Sequence, residues 1–391
     1  LAKKGGCIAV ICNTVARSQT VFRQLIEACQ EGKLDIERDH LILFHARFPP
    51  IWRKEIEDKT KRLFGKPQKD EAGNLTDYRP PQGPAIIVAT QVIEQSLDLD
   101  FDAMITDLAP IDLLIQRAGR LHRHKIRNGR RHGHARQLTI IQPQLDEQTI
   151  PHFGNDEYIY ERYVMLRTYR ALYQLTEDGC ITLPRQTIDL IEAVYNKDTR
   201  FHEEDANWQT ALKEANKIMC RDRHEAQQKA KNQIVDAPYA EQLLYNTNLG
   251  LEEDNPAIHQ TLQAKTRDIG PTLSLICLHA TEKESRVLLD PQDTAAAFDL
   301  TTPPDPDLTK QLLQRCINVQ QWILLNHFLD EDMPPENAPP AWRKNSVLRH
   351  ARAVIFKGGK YHFADEKNDY TLSLDRAYGL KLENQSKKET Q

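Results

Sequence analysis

The chain has 391 residues, 40% of them hydrophobic, and a formal net charge of −4. That length and apolar content suit two or three globular domains with real cores and exclude a disordered or fibrous protein, while the near-neutral charge excludes a globally basic nucleic-acid binder. Seven scattered cysteines, odd in number and without a C-x-x-C, exclude a disulfide scaffold or zinc ribbon and read as buried thiols in a reducing, cytoplasmic compartment.

The first expected element is a buried strand at Cys7–Cys12, CIAVIC, whose two cysteines should face opposite sides of a sheet. Asn13-Thr14 are good N-cap residues, and Val15, Phe22, Leu25, Ile26 and Cys29 then recur at helical spacing. Free backbone N–H groups at that helix start could also meet a phosphate. His40–Phe44 predicts a second strand, with His45, Ala46, Arg47 and Phe48 at its carboxyl end, where ligands of open α/β sheets bind. Pro49 and Pro50 open a charged helix through Phe64, and Gly65–Pro84 reads as an insertion or disordered loop.

Residues 85–123 organise the rest. Ala85–Ala89 is a continuous apolar strand, and Thr90, Gln91, Glu94, Gln95, Ser96, Asp98 and Asp100 follow its carboxyl end. A second strand, Ala103–Thr106, leads to Pro110, the expected first residue of a helix running to about Leu121. Arg120 and Arg123, three apart, share that helix face or the turn just beyond it and can grip a polyphosphate. An isolated pair of this kind is more often a solvated helix end, but this one arrives with Gln116, Gly119 and VATQVIEQSLD. Between Asp112 and Asp146 no acidic residue occurs, while Arg117, Arg120, Arg123, Lys125, Arg127, Arg130, Arg131 and Arg136 do, a local basic field suited to phosphate.

Leu138–Ile141 is a fifth strand, so residues 1–145 read as a mostly parallel α/β domain. Residues 146–236 read as helical, with helices over Asp156–Glu177, Pro184–Tyr195 and His202–Ile234, and Trp208 as a packing anchor. Residues 237–391 read as a smaller α+β domain. It should hold strands at 272–278 and 286–289, an amphipathic helix Leu308–Phe328, a hairpin joining Val347–Phe356 to Tyr361–Phe363, and a disordered tail from Gln385. His122, His124, His132 and His134 cluster without an acidic or Cys partner, so no metal site is expected there. No G-x-x-x-x-G-K-[ST] and no strand-linked G-x-G-x-x-G occurs, so the loop that cradles nucleotide phosphates is missing. No apolar run is long enough to cross a membrane, and the start at Leu1 reads as that of a fragment.

Thr90–Asp98 resembles motif V, Gln116–Arg123 resembles motif VI (Q-x-x-G-R-x-x-R), and the Asn13-Thr14 turn resembles motif IV of superfamily 2 helicases, all in the second of two RecA-like lobes. ATQVIEQSLDLDFD, QRAGRLHRH and FHARF at 44–48 together resemble the CRISPR-associated helicase-nuclease of type I systems. The motifs fall in roughly the first 140 residues. The resemblance implies a RecA-like parallel sheet with helices on both faces, a linker helix, and a small C-terminal domain over a DNA channel. It implies ATP with Mg2+ shared with an N-terminal lobe, catalytic Arg120, Arg123 and Gln116, and nucleotide coupling by Asp98, Gln95 and Gly119. Thr90, Asn13, Thr14, His45 and Arg47 would hold the backbone of single-stranded DNA. Further partners would be that N-terminal lobe, a nuclease domain and a guide-RNA surveillance complex. Asp70-Glu71-Ala72 is not taken as the helicase magnesium motif, because that motif must end a buried strand, and without a His-Asp dipeptide the family's nuclease should be absent. This part alone is expected to be inactive. The alternatives are a non-catalytic nucleic-acid-binding module and a lobe of another superfamily 2 RNA or DNA helicase.

Overall fold

The computed structural model describes residues 1–66, 83–94, 97–125, 131, 133–174, 180–196, 205–231, 272–281, 286–292, 296–330 and 333–386, and the backbone of 68–69 and 75–76. Strands β1 (Gly6–Ile11), β2 (Leu41–Phe44), β5 (Pro84–Ala89), β6 (Ala103–Asp107) and β7 (Leu138–Ile141) form one sheet in the order β2-β5-β1-β6-β7. Every pairing in it is parallel. Between them, β3 (Gln68–Lys69) and β4 (Leu75–Thr76) form a separate ribbon, and residues 67, 70–74 and 77–82 of the expected loop lie outside the described residues.

Period-two alternation sets the two faces of the sheet. Cys7, Ala9, Ile11, Ile42, Phe44, Ile87 and Ala89 pack on one side with Phe64 from α2 (Pro50–Phe64), whereas Ile8, Cys12, Leu43, Ile86 and Val88 pack on the other with Phe22 from α1 (Val15–Gln30). Cys7 and Cys12 therefore face opposite ways, as their spacing requires. The register pairs Ile11 with both Ala89 and Thr106, and Ala89 with Phe44. The strands thus end at one level. The chain winds from β1 toward β2 and β5 on one side and continues to β6 and β7 on the other, which makes the carboxyl edge beside β1 a topological switch point.

Helix α3 spans Ile111–Ala118, with Pro110 as its N-cap, and is shorter than its sequence suggested. Just past Gly119 the chain turns to lay Leu121 beside Phe101, with Phe101 N–H donating to Arg120 O and His122 N–H to Phe101 O, each at 3.0 Å. Burying Leu121 in the sheet core outweighs one more helical turn. A ribbon of β8 (Gln144–Leu145) and β9 (Pro151–His152) precedes α4 (Arg162–Gln174), α5 (Thr187–Tyr195) and α6 (Ala206–Lys231). These helices bury Met165, Tyr169, Leu190, Val194 and Trp208 against Ile111 and Leu114 of α3. Trp208 is buried and stacked on Tyr169.

The C-terminal part departs further from expectation. Strand β10 (Leu273–Ala280) pairs antiparallel with β11 (Arg286–Leu288), which pairs with β12 (Phe298–Asp299). The expected continuous helix 308–328 is instead α7 (Pro306–Leu313), strand β13 (Cys316–Val319) and α8 (Trp322–Phe328). Ile317 and Val319 point inward and Asn318 outward, a strand's alternation that pays β10's edge in hydrogen bonds a helix would forgo. Of the expected hairpin only the tight turn forms: Lys357 and Lys360 exchange backbone hydrogen bonds at 2.8 and 3.1 Å across Gly358-Gly359, and beyond that antiparallel bridge the strands part. Ala353, Val354 and Phe356 of β14 (Arg352–Phe356) are all buried, an apolar run on both faces that suits a covered parallel position, and β14 runs parallel to β10. Strand β15 (Lys360–Ala364) starts another sheet with β16 (Asn368–Asp375) and β17 (Gly379–Ser386), so Gln385 is in a strand and 387–391 lie outside the described residues.

The β16–β17 turn docks this second assembly on the first sheet. Asp375 Oδ1 accepts from the N–H groups of Ala377 and Tyr378 at 2.8 and 2.7 Å, which shapes the turn. Tyr378 O accepts from Gln19 Nε2 at 2.8 Å, and Leu380 N–H donates to Arg47 O at 2.9 Å. Gly379 has φ +67°, and a Cβ there would lie 2.6 Å from Arg47 O, so the close approach needs glycine. Arg376 pairs with Glu55 at 3.0 Å and lies over the Trp52 ring, and Tyr378 meets Phe22 edge-on.

Candidate nucleotide and nucleic-acid site

Three arginines at three-residue spacing lie along residues 94–98. Arg117 shares the inward face of α3 with Ile111 and Leu114 and is 0% exposed. Its Nε donates to Glu94 Oε1 at 2.7 Å, and its Nη1 to Thr106 Oγ1 at 2.6 Å and to Asp107 O at 3.3 Å. Arg120, 8% exposed, donates through Nη1 to Leu97 O and through Nη2 to Glu94 O at 2.6 Å. Burial, and then the charge of Arg123, hold its pKa below the usual arginine value. Arg123 pairs through Nε with Asp98 Oδ1 at 2.7 Å, with side chains 46% and 49% exposed. Such an exposed pair is worth little and is easily given up. Gln116 and Gly119 are exposed at the same end of α3, whereas Gln95 lies outside the described residues.

Much of the basic field seen in the sequence is already neutralised. Arg131 is buried, with Nη1 and Nη2 each 3.0 Å from an oxygen of Asp100 and Nη1 also 2.9 Å from Asp102 Oδ1. Asp100 further accepts from the backbone N–H groups of Arg123 and His124 at 2.8 and 3.2 Å, and Asp102 from that of Cys7 at 2.7 Å. This network fixes the turn that carries Arg123. Arg117 is matched by Glu94, Lys125 and Arg136 remain exposed, and Arg127 and Arg130 lie outside the described residues. Sequence reasoning missed Arg117, Asp102 and Arg131 as a framework, because the acids that neutralise the field precede it in the chain. Of the clustered histidines, His134 is buried with Nε2 2.8 Å from Gly5 O, and His132 lies outside the described residues. Among the described residues no three His, Cys, Asp or Glu side chains converge as a metal would need.

At the strand ends, Asn13 is buried. Its N–H donates to Asp107 Oδ2 at 3.0 Å, and its Nδ2 to Leu108 O at 2.7 Å and Asp156 Oδ2 at 2.8 Å. Burial raises the carboxyl pKa of both Asp107 and Asp156. Thr14 Oγ1 caps α1 by accepting from Arg17 N–H at 3.2 Å, and the half-exposed Arg17 lies 3.1 Å from Asp107. Thr90 is buried, with its N–H on Phe44 O at 3.2 Å, and Gln91 Nε2 donates to Asn13 O at 3.1 Å and Tyr160 Oη at 2.9 Å. Asp107, Asp156 and Tyr160 gave no sequence signal, since contacts across 50 to 150 residues carry no local pattern.

His45 and Arg47 face the β16–β17 turn. His45 is 0% exposed and stacked on Phe48; its Nδ1 accepts from Arg47 N–H at 3.1 Å, so Nε2 bears the proton and donates to Tyr378 O at 3.1 Å. The imidazole has no exposed surface, and both residues contact the β16–β17 turn, His45 through Nε2 and the half-buried Arg47 through its carbonyl. Burial, then the Arg47 charge, lowers the His45 pKa to about 3, and burial lowers that of Arg47 to about 10. Because the unfolded histidine titrates near 6.5, its contribution is complete above that pH and declines as pH falls toward about 3, by on the order of 2 kcal/mol at pH 5. Urea titrations at pH 7 and pH 5 should show that loss, and His45→Asn, which can donate but does not titrate, should lose less by that amount.

The family model "CRISPR-associated nuclease/helicase Cas3, C-terminal" matches residues 4–126, and "Cas3 C-terminal domain" matches residues 267–380. The CRISPR-associated endonuclease/helicase Cas3 of Thermus thermophilus is 29% identical over 405 residues, covering 92% of this chain and 41% of its own length. A crystal structure of a CRISPR-associated protein aligns with 98% of this chain and 39% of its own at TM-score 0.79 and 31% identity. The structure of T. fusca Cas3-ATP aligns with 97% and 39% at TM-score 0.71 and 25% identity. The chain spans about two fifths of the length of these relatives. A parallel α/β lobe with motifs V and VI in contact, followed by a second sheet assembly, places this chain in the Cas3 family, as the C-terminal part of its superfamily 2 helicase.

Proposed function

We propose that the complete protein is an ATP-dependent single-stranded DNA translocase of type I CRISPR interference, and that this chain supplies one wall of its ATP site. The observation that carries the reading is the series Arg117, Arg120 and Arg123 laid along residues 94–98, because it joins the motif that meets nucleotide to the motif that meets DNA. The residues present fit one side of a nucleoside triphosphate. Two guanidiniums and the exposed Gln116 and Gly119 share one end of α3, and the sequence holds no phosphate-cradling loop. When bound, ATP supplies the free energy of the cycle, and Mg2+ would be held with it by the N-terminal lobe. Arg120 and Arg123 act as arginine fingers toward the γ-phosphoryl group, Gln116 orients water or that group, and Asp98 with Gln95 couples the site to the strand track.

On the DNA side, Thr14, the first turn of α1 and exposed Arg17 face the backbone, while the buried Asn13 and Thr90 shape the loop behind them. The chain divides for this purpose into a lobe at 1–145, a helical linker at 146–236 and an accessory domain at 237–391. The partners are single-stranded DNA, the N-terminal lobe and nuclease domain, and the guide-RNA surveillance complex. No helix among the described residues is long and apolar enough to cross a membrane. Backbone-dominated contact predicts weak sequence preference and a steep salt dependence. Anisotropy titrations of the complete protein with oligo(dT) and a mixed-sequence strand should give similar affinities that fall together as salt rises. A strong sequence preference, or tighter binding to RNA, would contradict the reading.

A further inference from the structure

We infer that Arg117 is a positioning residue that transmits motion between the nucleotide half and the DNA half of the site, an inference that rests on the function proposed above. An apolar residue would complete the inward stripe of Ile111 and Leu114, yet a guanidinium stands there, fully buried. A buried ion pair gives little net stability over a well-packed apolar pair, so its directional contacts are what distinguish it.

Those contacts reach three places. Arg117 holds the carboxylate of Glu94, the hydroxyl of Thr106 and the carbonyl of Asp107. Asp107 in turn accepts from Asn13 N–H, which extends the link to the turn before α1. Glu94 is gripped twice, by Arg117 through its side chain and by Arg120 through its carbonyl. A movement of Arg120 toward a γ-phosphate therefore leaves Glu94 still fixed to α3. Residues 91–94 then move with the helix, and Gln91 passes the displacement to Asn13 O. Arg117 itself has no exposed surface and acts through these partners.

The test uses the complete protein and compares ATP hydrolysis with and without single-stranded DNA. The double variant Arg117→Met/Glu94→Met removes both charges of the pair and should keep its melting temperature. The readout is the ratio of DNA-stimulated to DNA-free hydrolysis in the same preparation, which should fall at least about tenfold. Arg117→Lys keeps a charge for Glu94 but not the fork to Thr106 and Asp107, and should lose stimulation by about threefold or more even if the double variant unfolds. Full DNA stimulation in a folded double variant, or in Arg117→Lys, overturns the inference. Arg120→Ala, run in parallel, separates the two levels. If it hydrolyses ATP normally, the proposed function itself has failed; if it is inactive while both Arg117 variants respond fully to DNA, this inference alone has failed.

Discussion

Arg120→Ala in the complete protein should lower DNA-stimulated ATP hydrolysis at least about a hundredfold, a floor set below the roughly 10³–10⁵ that an arginine finger contributes in related phosphoryl transfer. The side chain is preorganised. Its two terminal nitrogens rest on Leu97 O and Glu94 O, and burial leaves it few other partners to exchange for a phosphate oxygen. Arg123 does not replace it, because that guanidinium leaves α3 from the turn fixed by Asp100 and points to Asp98. Arg120→Lys keeps the charge but offers one point donor in place of a fork, so it should fall between the wild type and alanine. Losing two hydrogen bonds from a charged donor also costs stability, of order 1.5–3 kcal/mol each at most, so melting curves must accompany the rates. An alanine variant as active as the wild type would favour the non-catalytic binding module.

Arg131→Ala should have the largest effect on stability, about 3–5 kcal/mol, the usual cost of breaking a buried ion pair by removing one partner. Asp100 and Asp102 have no exposed surface and would lose the guanidinium that bridges them. A chemical-denaturation curve for this chain reads the change directly. Arg131→Ala/Asp100→Asn/Asp102→Asn should recover part of the loss, since it removes the stranded charges. Because Asp100 also holds the backbone of Arg123 and His124, the single variant should reduce hydrolysis even at temperatures where it stays folded.

Legibility from sequence followed the distance over which each feature is encoded. Buried parallel strands are continuous apolar runs, so Ala85–Ala89 and Cys7–Cys12 announced the sheet, and the turn chemistry at Asn13-Thr14 and Pro50 announced the helices after them. Residues 308–328 were opaque, because Ile317 and Val319 fit a helical stripe and a strand face alike, and the partner that decides, β10, lies about 40 residues earlier. The main partner of β14 was hidden for the same reason: beyond the Lys357–Lys360 turn it is β10 and not the chain neighbour β15. Within the site, the motif spelling pointed to Arg120 and Arg123 but not to Arg117, whose neighbours on both sides are more exposed and whose partner Glu94 sits 23 residues away. The contact of His45 and Arg47 with Tyr378 and Leu380 spans more than 330 residues. Nothing local in FHARF separates a ligand-facing strand end from one that faces another part of the chain.

The central claim is that this chain holds one wall of an ATP site completed elsewhere in the protein. Its most direct test is DNA-stimulated ATP hydrolysis by this chain alone beside the complete protein, at equal molar concentration. The account predicts no turnover by the chain alone and robust, DNA-dependent turnover by the complete protein; hydrolysis by the isolated chain would contradict it, because both walls would then have to lie within these 391 residues.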